Sequence, residues 1–501
     1  MNSPSRGRPR GGLLSTALLT VLSAVLLGLG TGLAPLWWCT WIAALPVLVA
    51  ATRTRPSLAF AAGTLAWLGA QTPMWGYYGG TLELPMPMVA GLILGTSALF
   101  GLAVAAFCAL AVRGRPVTAA LAFPSAWVAV EFVVSLTLPH GAWWSLAYSQ
   151  AEDLPVLQLA SLTGPWGLTF LLLGTQAALA VLPARLMPVA RGLWLAGAVA
   201  AVLVLVLGYG LVRLTAPADG SGVRVALLAT DDPNDPTPVN TPEGRKLLGR
   251  YLAELDGLRA DVAVLPENTF IVEKPHLRLL SGPLGALAAK RHMTILAGTT
   301  LIDGTRHTNT AFAFPDDGSA PVRYDKRHLI PGLESEFDTG DRDVFMPGSN
   351  GKWAIAICKD LDFPALVRGY RQQGASALFA PAWDFPGDEW IHSRIALVRG
   401  VENGMSVARA PRGGDLLASD SRGRVLGLAR TNPGFASVVF TLPEATGGTP
   451  YGMLGDWLGW ADLLLLPALL VVGLRRPGGG RGRDDTSAGG ERAARHLESH
   501  I

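Results

Sequence analysis

Cysteine and charge are both scarce in this sequence. Its 501 residues include only three cysteines, Cys39, Cys108 and Cys358, which excludes a disulfide framework and offers no paired spacing for a zinc site. Charged residues make up 16% of the chain and its net charge is +3. No basic patch is interleaved with aromatic residues, so nothing supports nucleic-acid binding. We also expect no cofactor and no metal.

Apolar residues are abundant, at 50% of the chain with a mean hydropathy of +0.34. This is too apolar for an ordinary soluble protein, although the remaining charge is enough for one soluble part. A transmembrane helix needs roughly 20 mostly apolar residues, and eight segments approach that length. These predicted spans run from about 12 to 32, 36 to 51, 58 to 77, 88 to 112, 117 to 138, 156 to 182, 192 to 214 and 454 to 474.

Arginines mark alternate gaps between these spans, and short cytoplasmic loops are enriched in Lys and Arg. The intervening loops 79–87 and 138–155 contain neither residue. This alternation predicts a multi-pass protein of the cell (inner) membrane with both termini in the cytoplasm. It also places the segment 216–452 on the outer, periplasmic face. The arginines are Arg53, Arg55, Arg113, Arg115, Arg185, Arg191, Arg475 and Arg476.

The segment 216–452 has a different pattern from the rest of the chain. Short β-rich runs such as VRVALLA, TILAGTTLI, WAIAIC and SALFAPAW alternate with helical stretches. Strands covered by helices suit one α/β domain of about 230 residues. The predicted organisation is therefore a seven-span bundle at 1–215, an extracytoplasmic domain at 216–452, a C-terminal span at 453–474 and a disordered cytoplasmic tail at 475–501.

Three strand ends in the α/β domain each carry one reactive side chain. VAVLPENTF carries Glu267, RYDKRHLIPGLE carries Lys326 and AIAICKDLDFP carries Cys358. A reactive thiol needs a base to remove its proton and positive charge to favour the anion. Each residue alone is more simply read as a loop, surface or packed side chain. Their occurrence together predicts a cysteine acyltransferase or amidase.

The order Glu, Lys, Cys within LPE, DKRHLIP and IAIC resembles the nitrilase, or carbon-nitrogen hydrolase, superfamily. Its fold is an αββα sandwich, and the resemblance implies Glu267, Lys326 and Cys358 as a catalytic triad. A nitrilase-like domain between seven upstream spans and one downstream span is similar, more narrowly, to the apolipoprotein N-acyltransferase family. This resemblance covers almost the whole chain.

Local matches extend the resemblance to further residues. Glu334, eight residues after Lys326, resembles the family's second glutamate, and RGVENG and GGTPYG match in type and order. Asp360 stands for a family glutamate, whereas Lys359 replaces a family tyrosine. The resemblance thus implies supporting roles for Glu334, Lys359 and Asp360. It also implies lipid or substrate contacts for Trp143, Trp144 and Trp383.

The resemblance implies transfer of a phospholipid acyl chain, through a cysteine thioester, to the N-terminal amine of a diacylglyceryl-cysteine lipoprotein. We expect a monomer in the bilayer. Two alternatives stay open, a membrane-anchored amidase with the same triad and a non-catalytic scaffold or transporter. The spans hold few ionisable residues beyond Glu131, which argues against a transporter. Glu131 either bonds a neighbouring span or marks the lipid site.

Overall fold

A computed structural model describes residues 11–184, 186–216, 220–231, 236–347 and 352–475. The predicted tail at 475–501 lies outside the described residues except for Arg475, and so does Arg185. The described chain up to residue 216 is helical, with a π-helix at Tyr77–Thr81 and a 3₁₀ turn at Leu146–Gln150. Its α-helices are α1 (Gly11–Gly30), α2 (Trp37–Thr40), α3 (Leu45–Ala51), α4 (Pro56–Ala70), α5 (Thr72–Gly76), α6 (Met86–Ala111), α7 (Pro116–Thr137), α8 (Leu154–Leu157), α9 (Ala160–Thr163), α10 (Pro165–Val181) and α11 (Val189–Thr215).

Apolar helices occupy all of the predicted spans, but they differ in length. Those long and apolar enough to cross a membrane are Gly12–Gly30, Met86–Ala111, Pro116–Thr137 and Val189–Thr215. The shorter apolar helices are Trp37–Ala51, Pro56–Ala70, Leu154–Thr163, Pro165–Val181 and Trp457–Gly473. Four helices of membrane-spanning length are therefore shown by length and composition. The count of eight spans stays a prediction.

The predicted span 156–182 is not one continuous helix. The chain forms the short helices α8 and α9, turns at Gly164 and starts α10 at Pro165. Gly164 has a φ of 65°, and a side chain on it would meet the Tyr451 ring at 2.4 Å. Glycine is required here by both the backbone conformation and the close approach, while the following proline favours a new helix start.

The described chain beyond residue 220 builds two β-sheets. One contains β14-β1-β3-β5-β4-β2, with β6 and β7 added beside β5, and the other has the order β13-β12-β11-β10-β9-β8. The strands are β1 (Gly222–Thr230), β2 (Thr237–Pro238), β3 (Val262–Val264), β4 (Phe270–Glu273), β5 (Thr294–Asp303), β6 (Arg306–Phe314), β7 (Val322–Asp325), β8 (Phe345–Pro347), β9 (Lys352–Ile355), β10 (Ala375–Trp383), β11 (Ser406–Arg412), β12 (Asp415–Ser419), β13 (Val425–Arg430) and β14 (Phe435–Pro443). The helices are α12 (Pro242–Gly257), α13 (Leu277–Arg291), α14 (Pro364–Gln372), α15 (Glu389–Asn403), α16 (Pro450–Leu454) and α17 (Trp457–Leu474).

The alternation of side chains along the strands explains how the layers pack. Val225 and Leu227 of β1 lie in the core between the two sheets, together with Phe379 of β10. Ala226 and Leu228 point the other way, into the core under α12 and α13. Helices α14 and α15 cover the outer face of the second sheet. These four layers confirm the predicted αββα sandwich.

Buried polar contacts join the sandwich to the helical part of the chain. Arg399 of α15 donates hydrogen bonds to the hydroxyl oxygen of Tyr148 and to the carboxylate of Glu402. Asp456, just before α17, accepts from Trp166 Nε1 at 2.9 Å and from Arg368 Nη1 at 2.8 Å. The RGVENG motif therefore meets the 3₁₀ turn Leu146–Gln150, and this contact fixes the sandwich against the helices. The predicted domain boundaries stay predictions.

Candidate active site

Cys358 follows β9 and starts a 3₁₀ turn that runs to Asp362. Its φ is 43°, in the left-handed region, a conformation that costs a residue with a side chain on the order of 1–3 kcal/mol. Its side chain is buried, and Sγ donates a weak hydrogen bond of 3.5 Å to the carbonyl oxygen of Trp383. The sharp turn presents the thiol at the carboxyl end of a sheet strand.

Asp360 holds this turn against the loop that follows β7. Its carboxylate accepts hydrogen bonds from the Ile357 backbone N at 3.0 Å and the Tyr324 hydroxyl at 2.6 Å. It also accepts from the backbone N atoms of Arg327 and His328, at 3.2 and 2.9 Å. Its contacts give Asp360 a positioning task rather than a chemical one.

Glu267, Lys326 and Glu334 form a buried charge cluster. Lys326 Nζ lies 2.8 Å from Glu267 Oε1 and 2.9 Å from Glu334 Oε2, and all three side chains are buried. Glu267 follows β3 and Lys326 follows β7. The structure therefore brings the predicted Glu and Lys together, with Glu334 as the second carboxylate on the ammonium.

Asn309 of β6 is a member of this cluster that the sequence did not reveal. Its Nδ2 donates to Glu267 Oε1 at 2.6 Å and to Glu334 Oε1 at 2.8 Å. The backbone N of Lys326 in turn donates to the Asn309 carbonyl at 2.8 Å. A lone amide within the apolar run NTAFAFP was the available signal, since a buried polar side chain needs partners.

Substituting Asn309 by Leu should slow acylation of Cys358 by about 10- to 100-fold, because two charge-assisted hydrogen bonds that position the carboxylates are lost. Lys326 still compensates both carboxylates, so the fold should survive. The measurement is the rate of acyl-adduct formation by intact mass spectrometry. The same change at the exposed Asn240 is the control. A wild-type rate in Asn309→Leu would show that Lys326 alone positions the carboxylates.

The charges around the thiol set its resting state. Burial raises the pKa of Cys358 well above that of a free thiol, and the Glu267 charge raises it further, while Lys326 and Arg409 oppose the rise. Burial would lower the pKa of Lys326, but its two carboxylates raise it overall. The resting site thus holds a neutral thiol beside a charged ammonium, so the thiol must lose its proton during the reaction.

Both hydrogen bonds that the described residues donate to the Glu267 side chain go to Oε1. Oε2 therefore keeps its lone pairs for another proton donor. Burial raises the pKa of Glu267, and the Lys326 charge opposes that rise. A carboxylate with a raised pKa is a stronger base, which suits proton removal from a thiol.

A second buried ion pair, between Arg409 and Asp384, lies close enough for its charges to act on the Cys358 thiol. Arg409 of β11 donates two hydrogen bonds to Asp384, one of them 2.8 Å long. The Arg409 charge also acts to lower the pKa of Cys358. Both residues escaped sequence reasoning, because an arginine inside the strand MSVARAP carries no motif that separates it from a surface residue.

A cavity of about 360 Å³ opens onto the thiol from the helical part of the chain. Its wall is mostly apolar and includes Trp67, Met88, Leu92 and Leu99 from α4 and α6. Cys358 also lines the cavity. The other polar and titratable residues of the lining are Thr31, Gln71, Tyr77, Tyr78, Thr96, His140, Ser145, Ser149, Lys359, Asp362 and His392.

The three tryptophans predicted to contact lipid or substrate all line this cavity. Trp143 stacks on Tyr77 with ring centroids 6.2 Å apart, and Trp144 packs edge-on against Trp127 at 6.0 Å. The Arg412 guanidinium lies 4.3 Å from the centre of the Trp383 ring. Their places in the wall are compatible with substrate contact, which stays a prediction.

Glu131 organises the loop that carries Trp143 and Trp144. Its buried carboxylate accepts from Trp127 Nε1 at 3.1 Å and from the Leu146 backbone N at 2.9 Å. It also accepts from the hydroxyls of Ser145 and Thr169, at 2.8 and 2.9 Å. Of the two roles considered for Glu131, these contacts favour bonding to a neighbouring helix and loop.

The turn that carries Cys358 is also fastened to the loop after α7. The Ala142 backbone N donates to the Asp362 carbonyl oxygen at 2.8 Å. Gly141 has a φ of 57°, and a side chain on it would lie 2.4 Å from the same oxygen. Glycine lets these two backbones meet, so the helical part helps to position the nucleophile.

Comparison with known proteins gives matches over both parts of the chain. Residues 23–178 match the family described as apolipoprotein N-acyltransferase N-terminal domain, and residues 229–429 match carbon-nitrogen hydrolase. An apolipoprotein N-acyltransferase from Geobacter metallireducens is 27% identical over 92% of this chain and 95% of that protein. A protein named hydrolase in agr operon, from Staphylococcus lugdunensis, is 33% identical over 29% of this chain and 69% of its own length.

Among solved structures, Saccharomyces cerevisiae Nit3 of the nitrilase superfamily is similar, with 19% identity and a TM-score of 0.39 over 45% of this chain and 92% of that chain. The first family match lies in the helices that wall the cavity, and the second covers the sandwich that carries Glu267, Lys326 and Cys358. One relative matches across both of these regions, since its match covers 92% of this chain. The chain belongs to the apolipoprotein N-acyltransferase family of the nitrilase superfamily.

Proposed function

We propose that the protein transfers an acyl chain from a membrane phospholipid, through a thioester on Cys358, to the N-terminal amine of a diacylglyceryl-cysteine lipoprotein. Family membership supports lipoprotein N-acylation as the general activity. The observation that carries the proposal is the cavity, which leads from the apolar helices α4 and α6 to the thiol. An acyl chain fits such a wall, whereas a small polar amide gains nothing from it.

In the first half-reaction, Glu267 accepts the proton of the Cys358 thiol while Sγ attacks the ester carbonyl carbon. The oxyanion of the tetrahedral intermediate is stabilised by the Lys326 ammonium and a backbone N–H of the turn. The ester C–O bond then breaks, and Glu267 returns the proton to the departing oxygen. A lysophospholipid leaves, and the acyl group stays on Sγ as a thioester.

In the second half-reaction, the acceptor amine attacks the thioester carbonyl carbon and Glu267 takes up the proton that the nitrogen releases. The C–S bond breaks, the amide product leaves, and the thiolate recovers its proton from Glu267. Water would divert the thioester to a free fatty acid. The apolar wall of the cavity limits access of water to the thioester, which favours transfer over hydrolysis.

The proposed setting follows the charge pattern of the loops. We place the sandwich on the outer face of the inner membrane, eight helices across the bilayer, both termini in the cytoplasm, and one chain per functional unit. Glu334, Lys359 and Asp360 are the proposed supporting residues. A phospholipid donor and a lipoprotein acceptor both carry their reacting groups at the membrane surface, which suits this arrangement.

Purified protein in detergent, given a fluorescent phospholipid, should form one acyl adduct on Cys358 that chases onto a diacylglyceryl-cysteine peptide. Intact mass spectrometry and peptide mapping locate the adduct, and gel fluorescence follows the chase. An adduct that only hydrolyses would favour the amidase alternative. The similarity to the Staphylococcus lugdunensis hydrolase is the reason to consider that alternative. Failure of every phospholipid to form an adduct would refute the acyltransferase proposal.

A further inference from the structure

We infer that Lys359, together with His140, forms a binding site for the phosphate of the donor lipid within the cavity that reaches Cys358. This inference rests on the proposed function and extends it, because it names the group that fixes the donor beside Cys358. Lys359 replaces the tyrosine expected at this position, so the site is a property of this chain. Three observations support the assignment.

The first observation is that the Lys359 ammonium is buried with poor compensation. Its side chain is only 8% exposed, and the described residues offer it one hydrogen-bond partner, Asp362 Oδ2 at 3.4 Å. Its other contact with a charge-compensating group is a distant one, with Nζ 6.0 Å from the centre of the Phe363 ring. Asp362 Oδ1 is buried and has no hydrogen-bond partner among the described residues. A buried ion pair with this geometry does not repay its desolvation. Lys359 is therefore better explained by a ligand than by stability.

The second observation is the charge balance of the cavity. Of its lining side chains with an ordinary acid or base function near neutral pH, His140, Lys359 and His392 are basic and only Asp362 is acidic. His392 is paired with Asp388, which does not line the cavity, at 3.3 Å. This leaves Lys359 and His140, beside the Asp362 carboxylate, to face an incoming ligand, and both nitrogen groups can donate hydrogen bonds to an anion.

The third observation is the position of His140 beside Lys359. Both side chains line the cavity. Burial lowers the pKa of His140 and the Lys359 charge lowers it further, while Asp362 opposes the shift. The imidazole of His140 makes no hydrogen bond with the described residues, and only its backbone carbonyl accepts one, from the Trp143 N at 3.4 Å. A neutral imidazole still has one N–H donor, and a phosphate placed between the two would accept from both.

The placement also suits the geometry of a glycerophospholipid. Lys359 is the residue after the nucleophile, and both residues line the cavity together with apolar residues of α6. A glycerophospholipid carries its phosphate a few bonds from the acyl ester. With the phosphate on Lys359 and the chain along α6, the ester carbonyl would come within reach of Sγ.

The test compares two donors that share acyl chains and ester bonds, phosphatidylglycerol and diacylglycerol, in the same detergent micelles. The readout is the ratio of the two rates of Cys358 acylation, measured by intact mass spectrometry. We expect the wild-type ratio to favour phosphatidylglycerol by about 10- to 100-fold, as charge-assisted hydrogen bonds allow. Lys359→Met should bring the ratio close to one, and Lys359→Arg should keep most of it.

Because Lys359→Met leaves Asp362 without its cation, the double variant Lys359→Met/Asp362→Asn serves as the charge-matched partner and should show the same loss of preference. A ratio unchanged in both variants would overturn the inference, and so would equal slowing with both donors, which indicates an effect on the thiol. Stimulation of diacylglycerol transfer by inorganic phosphate would assign the site to free phosphate instead. Failure of the wild type with both donors and with every other phospholipid would refute the proposed function itself.

Discussion

Alanine in place of Cys358 should abolish both the acyl adduct and turnover, with a loss of at least about 10⁴-fold in rate. The reason is chemical, since the proposed thioester forms on Sγ and alanine has no nucleophilic atom in its place. The rate is measured as acyl transfer to a diacylglyceryl-cysteine peptide, and the adduct by intact mass spectrometry.

The matched control is alanine at Cys108, which is also buried but lies in α6 away from the sandwich. Cys108→Ala should still form the adduct and keep its activity. A loss seen only in Cys358→Ala can then be attributed to the thiol at position 358. Cys358→Ala keeps the left-handed backbone with a side chain of similar size, so its thermal unfolding should stay close to the wild type. An adduct that persists in Cys358→Ala would place the nucleophile elsewhere.

The sandwich and its triad were predictable because both depend on local patterns. Strands such as VRVALLA and SALFAPAW are short apolar runs bounded by turn residues, and all four of the strand segments named from the sequence form strands. Glu267, Lys326 and Cys358 each follow a strand, and strand ends of packed sheets meet at one edge. Recognising that order of residues was enough to expect that they lie together.

Residues inside strands were harder to find. Asn309 and Arg409 sit in the middle of β6 and β11, where Asn309 lies between two threonines and Arg409 between two alanines. Their importance comes from the partners across the sheets, Glu267 and Asp384, which are far away in sequence. A single sequence records the polar residue but not its partner, so it cannot separate a charge partner from an edge residue.

The helical part shows the same limit in another form. Hydropathy locates apolar segments well, but the break at Gly164 depends on the approach of Tyr451, nearly 300 positions away. The cavity likewise combines α4, α6, the loop after α7 and the turn of Cys358. Its existence follows from the docking of two parts of the chain through Tyr148 and Arg399, a contact that neither segment encodes alone.

Methionine in place of Lys326 should destabilise the fold by about 3–5 kcal/mol near neutral pH and abolish acylation. The ammonium is the cation between the buried carboxylates of Glu267 and Glu334, and removal of one partner from a buried cluster leaves uncompensated charge. The loss of activity has a separate cause, since no cation then faces the oxyanion. Thermal unfolding in detergent measures the first effect, and adduct formation measures the second.

The pH dependence follows from the carboxylates. Burial raises the pKa of Glu267 and Lys326 opposes that rise, so loss of Lys326 raises it further. A carboxyl whose folded pKa is raised favours the folded state below its unfolded pKa of about 4.3, and that contribution is lost as pH rises through the folded pKa. Lys326→Met should therefore be closest to the wild type in acid and weakest above neutrality.

A second variant separates stability from catalysis. Lys326→Met/Glu334→Gln carries one buried carboxylate fewer, so it should recover much of the lost stability while acylation stays absent. If the double variant regains activity along with its fold, Lys326 acts only as a structural counter-ion. If Lys326→Met is as stable as the wild type at every pH, the carboxylates share a proton already, and Glu267 is not the free base that removes the thiol proton.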